Sequence, residues 1–307
     1  MKRRLLPMIL ALTMGVTLLF SGCSTIANLP LVGKYPLKLR DSYDREVTIP
    51  RLPQRIVSLA PSNTEILFAL GLGDKLVLVT DACNYPTEAE RIEKTSYQGP
   101  DMEKIIAANP DLIVADSQTG ENVVEQLQAA GLAVLTIRSD NIAQVLTNIG
   151  LIGQATSTTK QADQLVAQMK TRLQAVSSKL VTLPPSGKMT VFYEVWNDEL
   201  MSAGPNTFIA GIIDAAGGIS VTDDATTDWP LVNMESLIAK NPQVIILGHG
   251  AETPQTLKAR VTWQTIDAVK TDRIFSVNPD IFNRPGPRVV EAVEDLAKLL
   301  YPDLFNK

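Results

Sequence analysis

Short apolar runs alternate with amphipathic stretches over most of the chain, and the two periods predict its elements. RIVSL (55–59), LVLVT (76–80), DLIVAD (111–116) and LAVLTI (132–137) are short and rich in β-branched residues and leucine, as strands buried on both faces should be. Helical patterns lie between them. EILFALG stops at Gly71 and ENVVEQLQAAG at Gly131, while Ser62-Asn-Thr-Glu65 has the spacing of a capping box at a helix start. DMEKIIAANP is a further helix, broken at Asn109-Pro110. Strands separated by helices of this length predict a mainly parallel sheet with helices on both faces.

The rhythm then changes. One more helix is expected from about Ser139 to Gly153. Thr156 to Leu180 follows with neither Gly nor Pro, and Leu165, Val166, Met169, Leu173, Val176 and Leu180 share one face. That spacing predicts a long amphipathic helix of roughly 35 Å at 1.5 Å per residue. TLPPSG (182–187) ends it. A second α/β series begins at MTVFYEV and runs through NMESLIAKNP, QVIILG and RIFSV to the helix PRVVEAVEDLAKLLY, where Pro287 suits a first turn.

The two series share one stretch of sequence. DMEKIIAANPDLIV (101–114) and NMESLIAKNPQVII (233–246) are identical at Met102/Met234, Glu103/Glu235, Ile106/Ile238, Ala107/Ala239, Asn109/Asn241, Pro110/Pro242 and Ile113/Ile245. An internal repeat in one register predicts two similar α/β lobes, residues 51–154 and 182–307, joined by a linking helix over 155–181. The unbroken central helix disfavours a single nine-strand sheet.

The N-terminus has a different character. Lys2, Arg3 and Arg4 precede the uncharged apolar run Leu5–Phe20, and Ser21-Gly22 then leads to Cys23. Residues 1–22 read as a signal peptide, an uncleaved anchor being the alternative. Phe20-Ser21-Gly22-Cys23 resembles a bacterial lipobox, with Phe20 where Leu is commoner, and implies lipidation of Cys23 as a membrane anchor. Residues 23–50, with Pro30, Gly33, Pro36 and Pro50 and no clear period, read as a tether and extended lead-in. With Cys23 lipidated, Cys83 is the remaining thiol and no intrachain disulfide can form. Cys83 is expected to be a small buried hydrophobe. The formal charge of −5 argues against nucleic acid as a partner. No second apolar run is long enough to span a membrane.

Catalytic signals are thin. The one histidine, His249 in GHG, reads as a surface or capping residue. There is no Cys/His metal spacing, no phosphate-cradling glycine loop and no serine nucleophile elbow. An enzyme is not expected, nor any resident cofactor or metal. Binding chemistry is better represented. Open α/β sheets place ligands at the carboxyl ends of their strands. The loops expected there carry Asn84 and Tyr85, Tyr97, Asp116, Trp196 and Asn197, Trp229, and Asp280 with Arg284. Tyr97 and Trp229 each stand six residues before the repeated glutamate, so the repeat supplies one aromatic to each lobe, ready to clamp a flat ligand.

These residues carry a family resemblance over nearly the whole chain after about residue 38. RIVSLAPSNTEILFALG, NYP, YQGPDMEKIIAANPDLIV, WNDELMSAG, DWPLVNMESLIAKNPQVII and NRPGPR resemble the helical-backbone (class III) substrate-binding lipoproteins of ABC importers, most of all the cobalamin-binding branch. The resemblance implies two Rossmann-like lobes, a rigid linking helix and a ligand cleft between the lobes. It implies a monomer anchored on the outer face of the cytoplasmic membrane or in the periplasm, which hands its ligand to a permease dimer with ATPase subunits. Tyr97 and Trp229 match the family's aromatic contacts, and Asp280 its polar one. Ala82 and Asp116 stand where relatives can carry Tyr and Trp.

A corrinoid, cobalamin or cobinamide, suits aromatic platforms combined with Asn84, Asn197 and Asp280. Ferric siderophores call for several arginines, and haem for an axial His or Tyr with cations for its propionates; both are alternatives on the same fold, and an exported lipoprotein enzyme is the alternative of another class. Glu103 and Glu235 fall in first helical turns behind Asp101 and Asn233 caps. Helix-dipole complementarity explains them blandly. The resemblance implies a sharper role, docking onto basic sockets of a two-fold permease.

Overall fold

The computed structural model describes residues 34–305, so the leader and Cys23 lie outside the described residues. The chain first forms an antiparallel hairpin, β1 (Leu37–Arg40) with β2 (Glu46–Ile49), pairing Leu37 with Ile49. The segment read as an extended lead-in thus holds this hairpin. Asp41 closes the turn by accepting from the amides of Tyr43 and Arg45, and Val47 and Ile49 are buried in the main core. Four-residue strands are too short to show a period.

The N-terminal lobe is a five-stranded parallel sheet. Its strands are β3 (Ile56–Ser58), β4 (Leu76–Thr80), β5 (Lys94–Thr95), β6 (Leu112–Asp116) and β7 (Val134–Ile137), in the order β5-β4-β3-β6-β7. Helices α1 (Pro61–Ala69), α2 (Met102–Ala107) and α3 (Glu121–Ala129) connect them. Ser62-x-x-Glu65 is not a capping box. Helix α1 starts two residues earlier than that box would place it, at Pro61, behind Ala60 in extended conformation with no side-chain cap, and Glu65 is buried and committed elsewhere.

Two antiparallel helices follow, α4 (Ile142–Ala155) and α5 (Thr159–Leu180). A Cβ on Gly153 would sit 2.5 Å from Ala162 Cβ, so glycine lets the two helices meet. The link starts at Thr159 and not at Thr156, because Ser157 at φ 58° breaks the helical path. The C-terminal lobe contains β8 (Thr190–Glu194), α6 (Phe208–Ala215), β9 (Ile219–Ser220), α7 (Met234–Lys240), β10 (Val244–Leu247), α8 (Pro254–Lys258), α9 (Asp267–Lys270), β11 (Ile274–Ser276), α10 (Pro279–Phe282), α11 (Val289–Leu300) and α12 (Pro302–Phe305). Its four-stranded sheet, β11-β10-β8-β9, is also parallel.

The main core runs without interruption from the first lobe into the second. Leu67 and Val114 belong to it, as do Ala162, Met169 and Val176 of α5, and Val191, Ile212 and Val293 beyond. Each lobe also has an outer core: α2 contributes Ile105 to one and α7 contributes Leu237 to the other. The repeated segments therefore occupy equivalent places. Among the described residues, no helix is long and apolar enough to cross a membrane.

Candidate ligand-binding cleft

Parallel strands leave their carboxyl-end loops on one edge of each sheet, and the two lobes meet through such loops. Glu65 of α1 and Ala82 and Asn84 after β4 come from the first lobe; Asp280, Arg284 and Arg288 after β11 come from the second. Arg288 grips Glu65 bidentately, Nε to Oε2 at 2.8 Å and Nη2 to Oε1 at 2.6 Å. Arg284 donates to Asn84 Oδ1 (2.7 Å), the Ala82 carbonyl (3.1 Å), Asp280 Oδ1 (2.6 Å) and, more loosely, Glu65 Oε1 (3.4 Å). Asn84 Nδ2 completes the ring by donating to Asp280 Oδ2 at 2.8 Å. Two guanidinium groups and two carboxylates thus form an interlobe floor with no net charge. Three of the expected site residues, Asn84, Asp280 and Arg284, are brought together here. Their polar atoms are engaged with one another.

The aromatic residues are arranged differently. Tyr97 donates from its hydroxyl to Asp116 Oδ2 at 2.9 Å, while its amide donates to Asp81. Asp116 also accepts from the amides of Gln118 and Thr119, which fixes its carboxylate and through it the ring of Tyr97. Burial and the neighbouring Asp116 charge raise the Tyr97 pKa, so the phenol stays neutral. In the other lobe Trp196 and Trp229 are 47% and 49% exposed. Met201 bridges their loops, pairing with Trp196 on one side and Leu231 on the other. Gly204 holds the second loop close, since a Cβ there would lie 2.1 Å from the Thr227 carbonyl oxygen. Asn197 is half-buried beside Trp196. Tyr85 lies under Arg288, whose guanidinium carbon is 4.1 Å from the ring centroid. It also borders a groove of about 610 Å³ on the linking-helix side, with Phe68, Leu165, Met169 and Pro287.

His249 is not a surface residue, though it caps a backbone amide of its own loop. Its side chain is buried, and Nδ1 accepts from the Ala251 amide, so Nε2 carries the proton and donates to Glu194 Oε1 at 3.1 Å. Its other face meets the Trp196 ring edge-on, with centroids 6.1 Å apart. Burial pushes the Glu194 carboxyl up to about 8, against the opposing charge of Arg260 and with help from that of Glu252. Burial also lowers the His249 pKa, so the pair rests neutral. Cys83 is buried as expected, with Sγ 3.2 Å and 3.1 Å from the Thr64 and Thr80 hydroxyls.

Glu103 and Glu235 are exposed in the first turns of α2 and α7, behind caps in which Asp101 accepts from the Lys104 amide and Asn233 from the Ser236 amide. A helix that feeds a parallel strand runs back along it. Both first turns therefore stand at the carboxyl edges of their sheets, the edges that carry the cleft loops.

Residues 56–281 match the family described as periplasmic binding protein. The chain belongs to that family. An uncharacterized ABC transporter substrate-binding lipoprotein of Bacillus subtilis, YvrC, is 36% identical over 278 residues, 89% of this chain and 88% of that protein. A vitamin B12-binding protein of Vibrio vulnificus is 30% identical over 251 residues, 80% of this chain and 89% of the other. The crystal structure of a possible iron-binding (periplasmic solute-binding) protein of Staphylococcus epidermidis superposes with a TM-score of 0.72 at 31% identity, covering 82% of this chain and all of that one. The chain is thus a binding protein of the periplasmic type, like these relatives. It is not an enzyme.

The binding protein holds residues in and around the interlobe contact whose pairings its sequence concealed. Glu65 had a helix-start spacing, and Arg288, close behind Arg284 among the cleft-loop residues, had no partner in sequence; only the meeting of the lobes pairs them. Glu194 ends a strand and looks like one more alternation of polarity. A carboxylate flanked by Tyr193 and Val195 in a run otherwise buried on both faces was the available signal.

Proposed function

We propose that the cleft captures a corrinoid, cobalamin or cobinamide, and delivers it to a membrane permease dimer with its ATPase subunits. The observation that carries this reading is the neutral floor. Arg284 and Arg288, the cations that would draw an anionic siderophore or haem propionates, are already matched by Glu65 and Asp280. A large, flat ligand fringed by uncharged amides suits such a floor, of which Asn84 and Asp280 are part, with Tyr97, Trp196 and Trp229 as apolar platforms and Asn197 as a polar contact. Haem is further disfavoured because His249 is engaged by Glu194, Tyr97 by Asp116 and Tyr85 by Arg288. The vitamin B12-binding relative supports the same choice. In this reading Cys23 carries the lipid that keeps the protein at the membrane, and Glu103 and Glu235 are the acids that dock it on the permease.

The test is a titration of the lipid-free protein with cyanocobalamin, dicyanocobinamide, haem and a ferric siderophore, followed by absorbance and heat. One corrinoid should bind stoichiometrically without turnover. Trp229→Ala should weaken it by about 1 kcal/mol or more, roughly fivefold. Binding of haem or the siderophore with neither corrinoid bound would overturn the proposal.

A further inference from the structure

Folding accounts for most of the identities between the two repeated segments, and what it leaves over forms a surface. Met102 and Met234 are half-buried against the outer cores. Asn109 and Asn241 end their helices at φ 45° and 44°, a left-handed conformation that asparagine tolerates. Pro110, Pro242, Ile113 and Ile245 are buried. Three pairs are exposed in both lobes, Glu103/Glu235, Ile106/Ile238 and Ala107/Ala239; the helix dipole suits the glutamates and helix propensity the alanines, but neither accounts for the isoleucines. Their spacing of i, i+3 and i+4 puts each trio on one face of its helix.

An exposed isoleucine has no folding reason to persist. β-branched residues are weaker helix formers than Ala, Lys or Glu, and single surface apolar residues are otherwise scattered. Ile106 is 47% exposed and Ile238 is 38% exposed, at matching positions in separate lobes. Between them the same helices have let other positions diverge, Lys104 to Ser236 and Ala108 to Lys240.

We infer that each lobe presents a composite docking pad, one glutamate beside an Ile-Ala apolar step, to a partner with two matching sockets. Duplication of the pad on two lobes calls for a partner with two-fold symmetry. Its chemistry calls for a basic group at the rim of a shallow apolar depression, repeated on each subunit. The small Ala107 and Ala239 let the partner approach the helix backbone, Ile106 and Ile238 fill the depressions, and the glutamates steer and set the register. Resting on the docking role proposed above for Glu103 and Glu235, this assigns the occupant as the membrane-spanning permease dimer of the importer. It divides the work: charge governs arrival, and the isoleucines govern how long the complex lasts.

The experiment measures binding of the full soluble chain to the permease–ATPase complex in nanodiscs, as a function of salt. The variants are Ile106→Ser with Ile238→Ser, Glu103→Ala with Glu235→Ala, and Val261→Ser, which alters an 85% exposed residue outside the pads. The isoleucine pair should weaken binding about tenfold, mainly through faster dissociation, with the salt dependence intact. The glutamate pair should weaken it while flattening the salt dependence, and Val261→Ser should match the parent. Corrinoid affinity and thermal midpoint should be unchanged in all three. If the glutamate pair weakens docking and the isoleucine pair does not, the composite pad is wrong and the docking acids stand. If neither weakens it, both ideas fall.

Discussion

Burial leaves Glu194 protonated where a carboxyl in the unfolded chain is ionised, and this makes stability depend on pH. Its pKa lies at about 8 in the fold against 4.5 ordinarily, so the native state binds the extra proton between those values. The contribution is complete below about 4.5 and is lost as pH rises through 8. His249, with a lowered pKa, acts in the opposite direction as pH falls below its ordinary value of 6.5, so the glutamate is read cleanly between 6.5 and 8. Over that interval the denaturation midpoint should fall, and in Glu194→Gln it should stay level; an equal slope in the variant would exclude Glu194 as the source. Since the same pair supports the edge of Trp196, the variant should also remove any change in corrinoid affinity over this range. Tyr97 and Trp229 stood out in the sequence because they lie at fixed offsets in a repeat. The sequence did not pair Arg288 with Glu65 or pick out Glu194, because the partners lie 223 residues apart in the first case and 55 in the second.

At the scale of elements, the long apolar strands and the repeated helices were legible because burial on both faces leaves a continuous run of Val, Ile and Leu. The two-residue strands β5 and β9 were not, for they exist only as partners to β4 and β8. The start of α5 was misplaced because nothing in Thr156-Ser-Thr158 marks a turn; the break comes from bringing α5 back along α4 at Gly153. That contact is directly testable. A valine at Gly153 has nowhere to put its side chain short of displacing Ala162, and overpacking of this kind typically destabilises by about 1–3 kcal/mol. Gly153→Val should lower the denaturation midpoint by a corresponding amount, whereas Gly150→Ala, with open space at its Cβ, should not. Equal behaviour of the two variants would mean the helices do not pack this closely.

For the molecule as a whole, the repeat and the long helix were enough to predict two lobes, and sequence could go no further because the polar contact between lobes, Glu65 with Arg288 and Arg284, involves none of the repeated residues. That contact rests on Glu65. Removing one partner from a buried pair strands the other, at a cost of about 3–5 kcal/mol. Glu65→Gln should approach that loss in chemical denaturation, and should give the floor a net positive charge, so that an anionic siderophore gains affinity while a corrinoid loses it. Unaltered stability would show that Arg288 finds another partner. Small-angle scattering of the parent should change little on adding ligand, because Arg288 and Arg284 already tie the lobes and α5 spans them.

The continuous apolar core through α5 has a thermodynamic corollary. Since Leu67, Met169 and Val293 belong to one cluster, neither half can melt and leave the other its buried surface, and the two lobes must unfold as a single cooperative unit. A protein that cannot loosen one jaw alone has no cheap internal route to letting go, so in the proposed importer role the work of opening it would fall to the transporter.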